Sequence, residues 1–479
     1  GYNPLLINAS VAPEAVEKSL KKIGVKTIIA KSKKYAIDTI AIDHIQAVEI
    51  GSQYNENPCG NHVYFMSSNT SGNLKICEYD GEKLAISILE ASDVFLHSKK
   101  ISAHYNGSLK HVAILPFYHV FGFFAVFLWF SFFSRVFVFV EKMVPAIIQN
   151  AIFRQEITHL FFVPLLYEGI HKKVIAKLKE DPKTYDRFKK AYQKSIDLGD
   201  SPLGKTFRKI AFKKLREKIF GDSIQILISG GTKIDIETLT FFNAIGYTLC
   251  NGYGMTEFGI ASVELSDRFS DRISGSIGSP FIHTQYEISQ DDELIVTSKK
   301  VAKVLYLDKD DEIESDSYHT RDLFREVDGH YHIDGRIDDL IVLPNGENLN
   351  PSIYEDLFTI EGVDDNVIFS DKDALVYLLK IKPYAPESFI NDLLDKTNSK
   401  IKDLKLNMIA SKIVLTTSPL IEDGEPKKSR KRIKDKYLKS QLDVVDLNAL
   451  NQEKLSNDII EKISKIFKEA LNPEKDIGN

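Results

Sequence analysis

The feature that most constrains the fold of this chain is a pair of predicted strands separated by a helix in the middle of the sequence. Ile224–Ser229 has the length and apolar composition of a buried strand, and Gly230 and Gly231 follow it directly. Apolar residues recur at helical spacing over Ile236–Ala244, and Tyr247–Cys250 predicts the second strand. This order predicts an α/β unit in which a ligand can approach the backbone at a strand end.

The second predicted strand leads into Asn251–Glu257, whose side chains suit a nucleotide. Two glycines free the backbone, and Tyr253 offers a flat ring face. Thr256 offers a hydroxyl for phosphate, and Glu257 offers the hard oxygen ligands that Mg²⁺ prefers. A turn with a packed tyrosine and a solvated glutamate is the commoner explanation of an isolated GYG, so the rest of the chain decides. If Glu257 is a Mg²⁺ ligand on a loop, its replacement by glutamine should barely change stability.

Length and composition indicate a globular protein. The 479 residues suggest about three domains, and 43% hydrophobic with 27% charged residues are ordinary globular values. A net charge of −5 argues against a nucleic-acid binder. Cys59, Cys77 and Cys250 lack the spacing of a zinc site or a disulfide framework, and no secretory signal is present. We therefore expect a cytoplasmic protein.

A second polar segment, Ser67–Lys75, follows a predicted strand at His62–Met66. Its hydroxyls, glycine and lysine could surround a phosphate. The Walker A spacing is absent, and a polar hairpin turn accounts for the same residues equally well.

The most apolar run is Val120–Phe133, which His119 precedes. Its 14 uncharged residues are fewer than the about 20 that a bilayer requires, so we predict a buried helix, not a membrane span. A strand is predicted to follow at Val136–Val140. The many aromatic rings favour the wall of an apolar pocket with His119 and Gly122 at its mouth, and a plain core helix is almost equally favoured.

Helical spacing within this run predicts two aromatic faces, because residues three or four apart share a side of a helix. One face would hold Phe123, Phe127 and Phe130. The other would hold Phe121, Phe124 and Leu128. One of the two faces should line the pocket for an alkyl chain.

The sequence pattern changes near residues 336–340, after a predicted hairpin with its turn at Asp328 and Gly329. We predict an α/β fold with a large N-terminal domain, residues 1–335, whose sheets have flanking helices and a small β-barrel-like part. A small mobile α+β domain over residues 336–440 follows. Residues 441–479 are predicted to be a linker and an amphipathic helix, Lys454–Leu471. Because the chain begins within an α/β pattern, we expect a partner strand to precede it.

Six motifs in order resemble those of the adenylate-forming superfamily, which includes acyl- and aryl-CoA synthetases, peptide-synthetase adenylation domains and luciferases. They are SSNTSGNLK, ILPFYHVFG, ISGG with NGYGMTE, HTRD, GRIDDLIVLPNGENLNP and PKKSRKR. The charged insert before ISGG and the wording LIVLPNGENLNP most resemble long-chain acyl-CoA synthetases. The last helix resembles the start of a phosphopantetheine carrier domain, and the family's opening segment is not represented.

The resemblance implies that ATP and Mg²⁺ convert a carboxylic acid to an acyl-adenylate, which then gives a thioester with CoA or with carrier phosphopantetheine. Implied nucleotide-binding residues are Ser68, Thr70, Ser71, Gly72, Lys75, Gly230, Gly231, Asn251, Gly252, Tyr253, Gly254, Met255, Thr256, Asp322 and Arg336. Implied catalytic residues are Lys427, Thr256, Glu257 and His119, with Glu257 as the metal ligand.

Individual roles also follow from the resemblance. Tyr253 would stack on adenine, while Gly230, Gly231 and Asn251 would line the base and acyl site. Thr256 would hold the α-phosphate, Asp322 the ribose hydroxyls, and Arg336 the ribose-phosphate side. Lys427 would bridge the reacting oxygens, with Lys428 as its rival, and Asp339 falls at the hinge of the small domain.

Four residues depart from the motifs. Asn69 and Ile76 replace glycines of the phosphate loop, Leu74 replaces its proline, and Arg321 replaces the glycine of TGD. Two alternatives therefore stay open. The chain could be a relative that binds a nucleotide or an acyl group without turnover, or an adenylation domain that selects an amino or aryl acid for its own carrier.

Overall fold

The structure is a computed structural model, and it describes the following residues: 3–7, 13–30, 38–41, 60–68, 74–97, 109–132, 136–142, 144–307, 311–342, 348–358, 360–371, 374–382, 387–404, 410–421 and 428–447. The chain forms two compact units. Residues 1–320 with 325–333 form the first, and residues 321–324 with 334–479 form the second. The predicted helix Lys454–Leu471 lies outside the described residues, and the three-part domain division stays a prediction.

A six-stranded sheet is the centre of the first unit. Its strands are β6 (Lys110–Val112), β7 (Val136–Val138), β8 (His159–Phe162), β9 (Ile226–Ser229), β10 (Leu249–Met255) and β11 (Gly259–Val263). They lie in the order β11-β10-β9-β8-β6-β7, and all neighbours are parallel except β10 and β11. All four residues of β8 are buried, which is typical of a strand covered on both faces.

Ten α-helices lie among the described residues of the first unit. They are Pro13–Lys22, Gly81–His97, Trp129–Phe132, Pro145–Arg154, Pro164–Lys179, Pro182–Asp197, Pro202–Ala211, Lys213–Ile219, Ile236–Ala244 and Phe269–Ile273. The predicted helix at 236–244 is confirmed, and it begins where the Asp235 side chain accepts a hydrogen bond from the Thr238 amide at 2.5 Å. Its residues Leu239 and Phe242 are fully buried in the same cluster as Leu227 and Leu249 of the sheet.

The other strands that lie wholly or partly in the first unit form three smaller sheets. They are β1 (Leu5–Leu6), β2 (Thr27–Ala30), β3 (Asp38–Ala41), β4 (His62–Ser68), β5 (Leu74–Asp80), β12 (Gln285–Ile288), β13 (Glu293–Thr297), β14 (Lys303–Tyr306), β15 (Glu312–Ile313), β16 (Ser317–Val327) and β17 (His330–Arg336). The sheet orders are β1-β4-β5-β14-β15, β12-β13-β16-β17 and β2-β3. The predicted turn is confirmed, since Asp328 and Gly329 between β16 and β17 have φ of 52° and 79°.

The second predicted strand of the central unit differs from the prediction. It begins at Leu249 and continues through Met255, so that most of the predicted loop is a strand. The reason is a tertiary one. Residues 252–255 pair antiparallel with β11, and this pairing satisfies backbone groups that the local pattern of glycines leaves open.

The apolar run also differs from the prediction, because Phe121–Leu128 is a π-helix and only Trp129–Phe132 is α-helical. A π-helix has a wider turn than an α-helix, which changes the residues that share a face. Phe121 packs with Val126 and Trp129, whereas Phe124 and Leu128 pack in a separate cluster.

The predicted face of Phe121, Phe124 and Leu128 is therefore wrong. The rings of Phe123 and Phe127 do lie together, with centroids 5.5 Å apart. The side chain of Phe130 lies outside the described residues. Within the described part of the chain, no helix is long and apolar enough to cross a membrane.

A four-stranded sheet forms the core of the second unit. Its strands are β20 (Val363–Asp371), β21 (Ala374–Ile381), β22 (Ala410–Thr416) and β23 (Val444–Asp446), which lie in that order. Alternate residues of β21 enter two clusters, Tyr377 and Leu379 in one and Val376 and Leu378 in the other. The sequence pattern after Pro351 predicts strands near residues 367–369, 376–381 and 412–416, and the structure confirms them.

The remaining elements of the second unit surround this sheet in sequence. They are a 3₁₀ turn at Ile337–Asp339, the strand pair β18 (Ile341–Val342) and β19 (Asn348–Leu349), and the helices Pro351–Leu357, Glu387–Asp403 and Arg430–Leu438.

A buried ion pair in the first unit has no counterpart in the sequence analysis. Lys300 and Glu90 pair with side chains only 1% and 2% exposed. Glu90 also accepts a hydrogen bond from Thr284 Oγ1 at 2.7 Å, and Lys300 Nζ donates to the carbonyl oxygen of Ile260 at 2.5 Å. Burial lowers the pKa of Lys300, and the Glu90 carboxylate opposes this shift.

We expect Lys300→Met to lower the free energy of unfolding by about 3–5 kcal/mol, because it leaves the Glu90 carboxylate buried without its cation. The control is Lys177→Met, which removes an ion pair with Glu180 whose side chains are 79% and 64% exposed. Exposed pairs contribute little, so the control should barely change stability. Urea unfolding measures both, and equal shifts in the two variants would contradict the prediction.

Candidate functional site

The segment predicted to bind the nucleotide is a strand and a tight hairpin turn. Thr256 and Glu257 lie in the turn between β10 and β11. The pairing shifts between Tyr253 and Gly254, which is a β-bulge. A Cβ at Gly254 would collide with the carbonyl oxygen of Gly259, so only glycine fits this close approach. Bulges of this kind re-aim side chains and often lie beside active sites.

Three polar side chains meet beside this turn. The Lys75 ammonium forms an ion pair with the Glu257 carboxylate, and each side chain is only 2% exposed. Lys75 Nζ donates to the Tyr318 hydroxyl at 3.0 Å, and that hydroxyl donates to Glu257 Oε1 at 3.4 Å. Burial acts to lower the pKa of Lys75, but Glu257 and Tyr318 outweigh it and raise the pKa above its usual value. Lys75 is therefore a cation at any physiological pH.

The structure thus brings together Lys75 and Glu257, which the sequence analysis placed in one site. It also shows that Glu257 is not on a solvated turn, so the expectation of a small stability cost on its neutralisation is wrong. Sequence analysis missed Tyr318, and the available signal was its place two residues before the Thr320 of the HTRD motif.

A second tyrosine holds the backbone of the turn. The Tyr79 hydroxyl donates to the carbonyl oxygen of Thr256 at 2.8 Å, and Tyr79 is fully buried. Burial raises the pKa of Tyr79, so the phenol keeps its proton and remains a donor. The amide of Ala302 donates to the carbonyl oxygen of Glu257 at 2.7 Å. Contacts from two other segments therefore fix the backbone that presents Thr256 and Glu257.

The aromatic and amide side chains of β10 have structural partners. Tyr253 is 6% exposed, its ring lies 6.0 Å from that of Phe258, and its hydroxyl contacts Met255 Sδ at 3.6 Å. The Asn251 amide donates to the carbonyl oxygens of Gly275 and Ser276 at 3.3 and 3.4 Å. Their predicted roles beside adenine stay predictions.

The glycine pair after β9 lies against the apolar run. Gly231 has a φ of 92°, which favours glycine. A Cβ at Gly230 would lie 3.3 Å from the Phe121 ring, so this ring covers the glycine. His119 is exposed, and its ring lies 4.6 Å from that of Tyr118. The structure therefore places the start of the π-helix at the end of β9.

Other predicted site residues lie outside the described part of the chain. They are Thr70, Ser71 and Gly72 of the phosphate loop, and Lys427. The loop joins β4 and β5, which pair antiparallel from His62 with Asp80 to Ser68 with Leu74. The backbone of Ser68 ends β4, and its side chain is not described.

The second unit holds the remaining predicted residues. Asp322 Oδ1 lies 3.1 Å from Arg336 Nε, in an ion pair whose side chains are 11% and 26% exposed. Lys428 Nζ donates to Asp365 Oδ1 at 2.9 Å and to the carbonyl oxygen of Asn366 at 2.7 Å. The Lys428 ammonium is thus held by the sheet of its own unit.

Comparison with known proteins decides the family. A family model described as AMP-binding enzyme matches residues 1–303. The chain belongs to the AMP-binding enzyme family. This confirms the predicted resemblance to adenylate-forming enzymes.

Two curated relatives of this chain are named as ligases. It is 28% identical over 189 residues to the long-chain-fatty-acid–CoA ligase FadD15 of Mycobacterium bovis, covering 38% of this chain and 31% of the relative. It is 27% identical over 198 residues to the Arabidopsis thaliana long-chain-fatty-acid–[acyl-carrier-protein] ligase AEE15, covering 36% of this chain and 27% of the relative. The matches span less than a third of the length of these relatives.

Solved structures confirm the predicted fold class. The o-succinylbenzoate CoA synthetase of Bacillus subtilis, in complex with its acyl-adenylate intermediate, superposes with a TM-score of 0.65 at 19% identity. The match covers 90% of this chain and 82% of that one. The same enzyme with ATP and a magnesium ion gives a TM-score of 0.64 at 19% identity, covering 90% and 84%.

The residues present fit a magnesium ion that a nucleotide brings with it. Among the described residues, no group of three or more His, Cys, Asp or Glu side chains could hold a metal by itself. Mg²⁺ is usually bound through one or two carboxylates together with substrate phosphates. Glu257 supplies such a carboxylate beside a cation that can bind phosphate.

Two acids meet where the helix 164–179 contacts the start of the helix 236–244. The amide of Asp235 donates to Glu168 Oε1 at 3.5 Å. Burial raises the pKa of Glu168 to about 7, the charge of Asp235 adds to the shift, and Lys172 opposes it. In the folded chain, Glu168 therefore takes up a proton at a pH where the unfolded chain has released it.

We expect Glu168→Gln to raise the free energy of unfolding above pH 7 and to change it much less below pH 5. The raised pKa of Glu168 gives the sign of this effect. Above pH 4.5, the usual pKa of the carboxyl, Glu168 is ionised in the unfolded chain, and folding then requires either a buried charge or the uptake of a proton, each of which costs free energy. Urea unfolding between pH 4.5 and 8 measures it. Glu180→Gln, which changes a 64% exposed side chain at the end of the same helix, is the control. A pH-independent effect of Glu168→Gln would contradict the prediction.

Proposed function

We propose that this chain activates a carboxylic acid with a medium or long alkyl chain as an acyl-adenylate, using ATP and Mg²⁺, and then transfers the acyl group to a thiol. The thiol belongs to CoA or to the phosphopantetheine of a carrier protein. The observation that carries the proposal is the buried cluster of Lys75, Glu257 and Tyr318 beside the turn between β10 and β11.

The chemistry requires charge neutralisation more than proton transfer. A substrate carboxylate oxygen attacks the α-phosphorus of ATP, and pyrophosphate leaves. The thiol then attacks the acyl carbon, loses its proton, and AMP leaves. Both substrates of the first step are anions, so positioning and cations beside the phosphates control its rate. Lys75 supplies such a cation, and the Thr256 hydroxyl supplies a donor for the α-phosphate.

Glu257 would hold the Mg²⁺ ion, which when bound neutralises phosphate charge. Lys75 would hold phosphate and Glu257 would hold the metal ion, so each of the two buried charges would keep an opposite charge beside it. Tyr79 and Ala302 hold the backbone of the turn in place.

Lys428 is a poor candidate for the bridging lysine. Its ammonium is held by the Asp365 carboxylate and the Asn366 carbonyl oxygen, and the Asp365 and Glu355 charges help to raise its pKa although burial acts to lower it. We assign the bridging role to Lys427. Asp322, held by Arg336, would take the ribose hydroxyls.

The preference for an alkyl chain rests on the aromatic segment beside Gly230. Phe123 and Phe124 are 9% and 5% exposed and pack in the core. Phe121, which covers Gly230, and Phe127, which is 40% exposed, are the rings that an acyl chain could contact. The curated relatives named above are ligases of long-chain fatty acids, which supports the same choice.

The test of the proposed function is pyrophosphate release with a series of acids from acetate to palmitate. Each buried methylene contributes about 0.8 kcal/mol, so kcat/KM should rise steeply with chain length until the site is filled. A preference for amino or aryl acids would favour an adenylation domain of that kind. No release with any acid would favour a binding protein without turnover.

We expect Glu257→Gln to lower the rate of adenylation by about two to three orders of magnitude, the size of effect seen when one group that stabilises transition-state charge is removed. The substitution should also destabilise the fold, because it leaves Lys75 buried without its anion. Lys300→Met, which breaks a buried pair outside the site, controls for stability. If Glu257→Gln adenylates as fast as Lys300→Met, the assignment of Glu257 as the metal ligand is wrong.

Substitutions of Lys427 and Lys428 should have different effects when adenylation and thioester formation are measured separately. Lys427→Ala is expected to abolish adenylation and to spare thioester formation from supplied acyl-adenylate, because the cation acts only on the charged transition state of the first step. Lys428→Ala should lower stability and affect both half-reactions equally. The reverse pattern would show that Lys428 is the bridging residue.

A further inference from the structure

Arg321 adopts a backbone conformation that arginine rarely has. It lies on β16 with a φ of 59°, in the left-handed region that favours glycine. Glycine stands at this position of the TGD motif that the chain resembles. Arginine therefore occupies this position although its backbone conformation is unfavourable. The contacts of the Arg321 side chain indicate what the residue contributes.

The guanidinium of Arg321 holds an acid of the 3₁₀ turn at Ile337–Asp339. Its Nε and Nη2 donate to Asp338 Oδ1 at 2.8 and 2.6 Å. The two side chains are 53% and 33% exposed, so the pair lies near the surface. Both partners belong to the second unit.

The next residue of the turn is held by a different arginine. Asp339 Oδ2 lies 2.7 Å from Arg430 Nη1. The same guanidinium donates to Glu355 Oε2 at 2.8 Å and to the carbonyl oxygen of Ile368 at 3.0 Å. Arg430 lies in the basic run of residues 427–432 and begins the helix Arg430–Leu438. Two consecutive acids of the turn are thus bound by arginines from separate segments.

We propose that the Arg321–Asp338 pair is a tether that restrains the turn at residues 337–339 and slows the conformational change between the two half-reactions. The inference rests on the proposed function and on the resemblance to adenylate-forming enzymes, which implies that Asp339 of this turn lies at the hinge of the small domain. Arg430 is already held within the second unit by the Glu355 carboxylate and the carbonyl oxygen of Ile368. Arg321 adds a restraint that a glycine could not supply. Arg321 is a positioning residue, because it acts through the turn and not on the substrate.

The tether is tested by breaking it from each side, with Arg321→Gly and Asp338→Asn. An exposed ion pair shifts an equilibrium by a factor of about two to five. We expect both variants to raise the rate of thioester formation relative to adenylation by that factor. The double variant should show no further gain, because both substitutions remove the same contact. Arg321→Lys should keep most of the restraint.

Amide hydrogen exchange gives a readout that does not depend on activity. Exchange at residues 337–340 should rise by the same factor in both variants, and salt near 1 M should remove the difference from the unmodified chain. The control is Asp186→Asn, which breaks a similarly exposed ion pair with Lys190 elsewhere in the chain.

The failures of the two proposals can be told apart. Unchanged exchange at residues 337–340 in both variants would overturn the tether. An unchanged ratio of half-reaction rates together with faster exchange would overturn its effect on the reaction. Absence of pyrophosphate release in the unmodified chain would overturn the proposed function, and the exchange measurement would still decide whether the tether exists.

Discussion

The ion pair between Lys75 and Glu257 is the interaction on which the candidate site depends. Two opposite charges with side chains 2% exposed are tolerated inside a protein only when they satisfy each other. The pair joins β5 to the turn after β10, which belong to different sheets of the first unit. Tyr318 closes the cluster from β16. The site is therefore built where three sheets converge on one pair of charges.

Close backbone approach shapes the same site. Gly254 lies against Gly259 at a distance that a side chain would prevent, and Gly230 lies under the Phe121 ring, where a Cβ would be 3.3 Å from the ring. The Tyr79 hydroxyl donates a hydrogen bond to the carbonyl oxygen of Thr256 and so fixes the backbone of the turn. Thr256 and Glu257 would contact phosphate and metal, and the backbone that carries them is held by residues such as Tyr79 that would contact neither. Such support is what keeps a polar site rigid enough to act on charge.

The second unit uses arginine and acid pairs in the same way, closer to its surface. Arg336 holds Asp322, Arg430 holds Asp339, and Arg321 holds Asp338. The first two arginines lie in motifs that the chain shares with adenylate-forming enzymes. The third replaces a motif glycine and takes a left-handed conformation to do so. A departure from a motif can thus add a contact as well as remove one.

The sequence by itself determined the local elements and the residues of the motifs. The helix at 236–244, the turn at Asp328 and Gly329, and the strands of the small sheet follow from periodicity and glycine placement, because these depend on neighbouring residues. Tertiary structure alone decided that residues 252–255 continue the strand, since their pairing partner is β11, and that Phe121–Leu128 is a π-helix. It alone placed Tyr318 on Lys75 and Lys300 on Glu90, because partners 243 and 210 residues apart in sequence meet only when the chain folds.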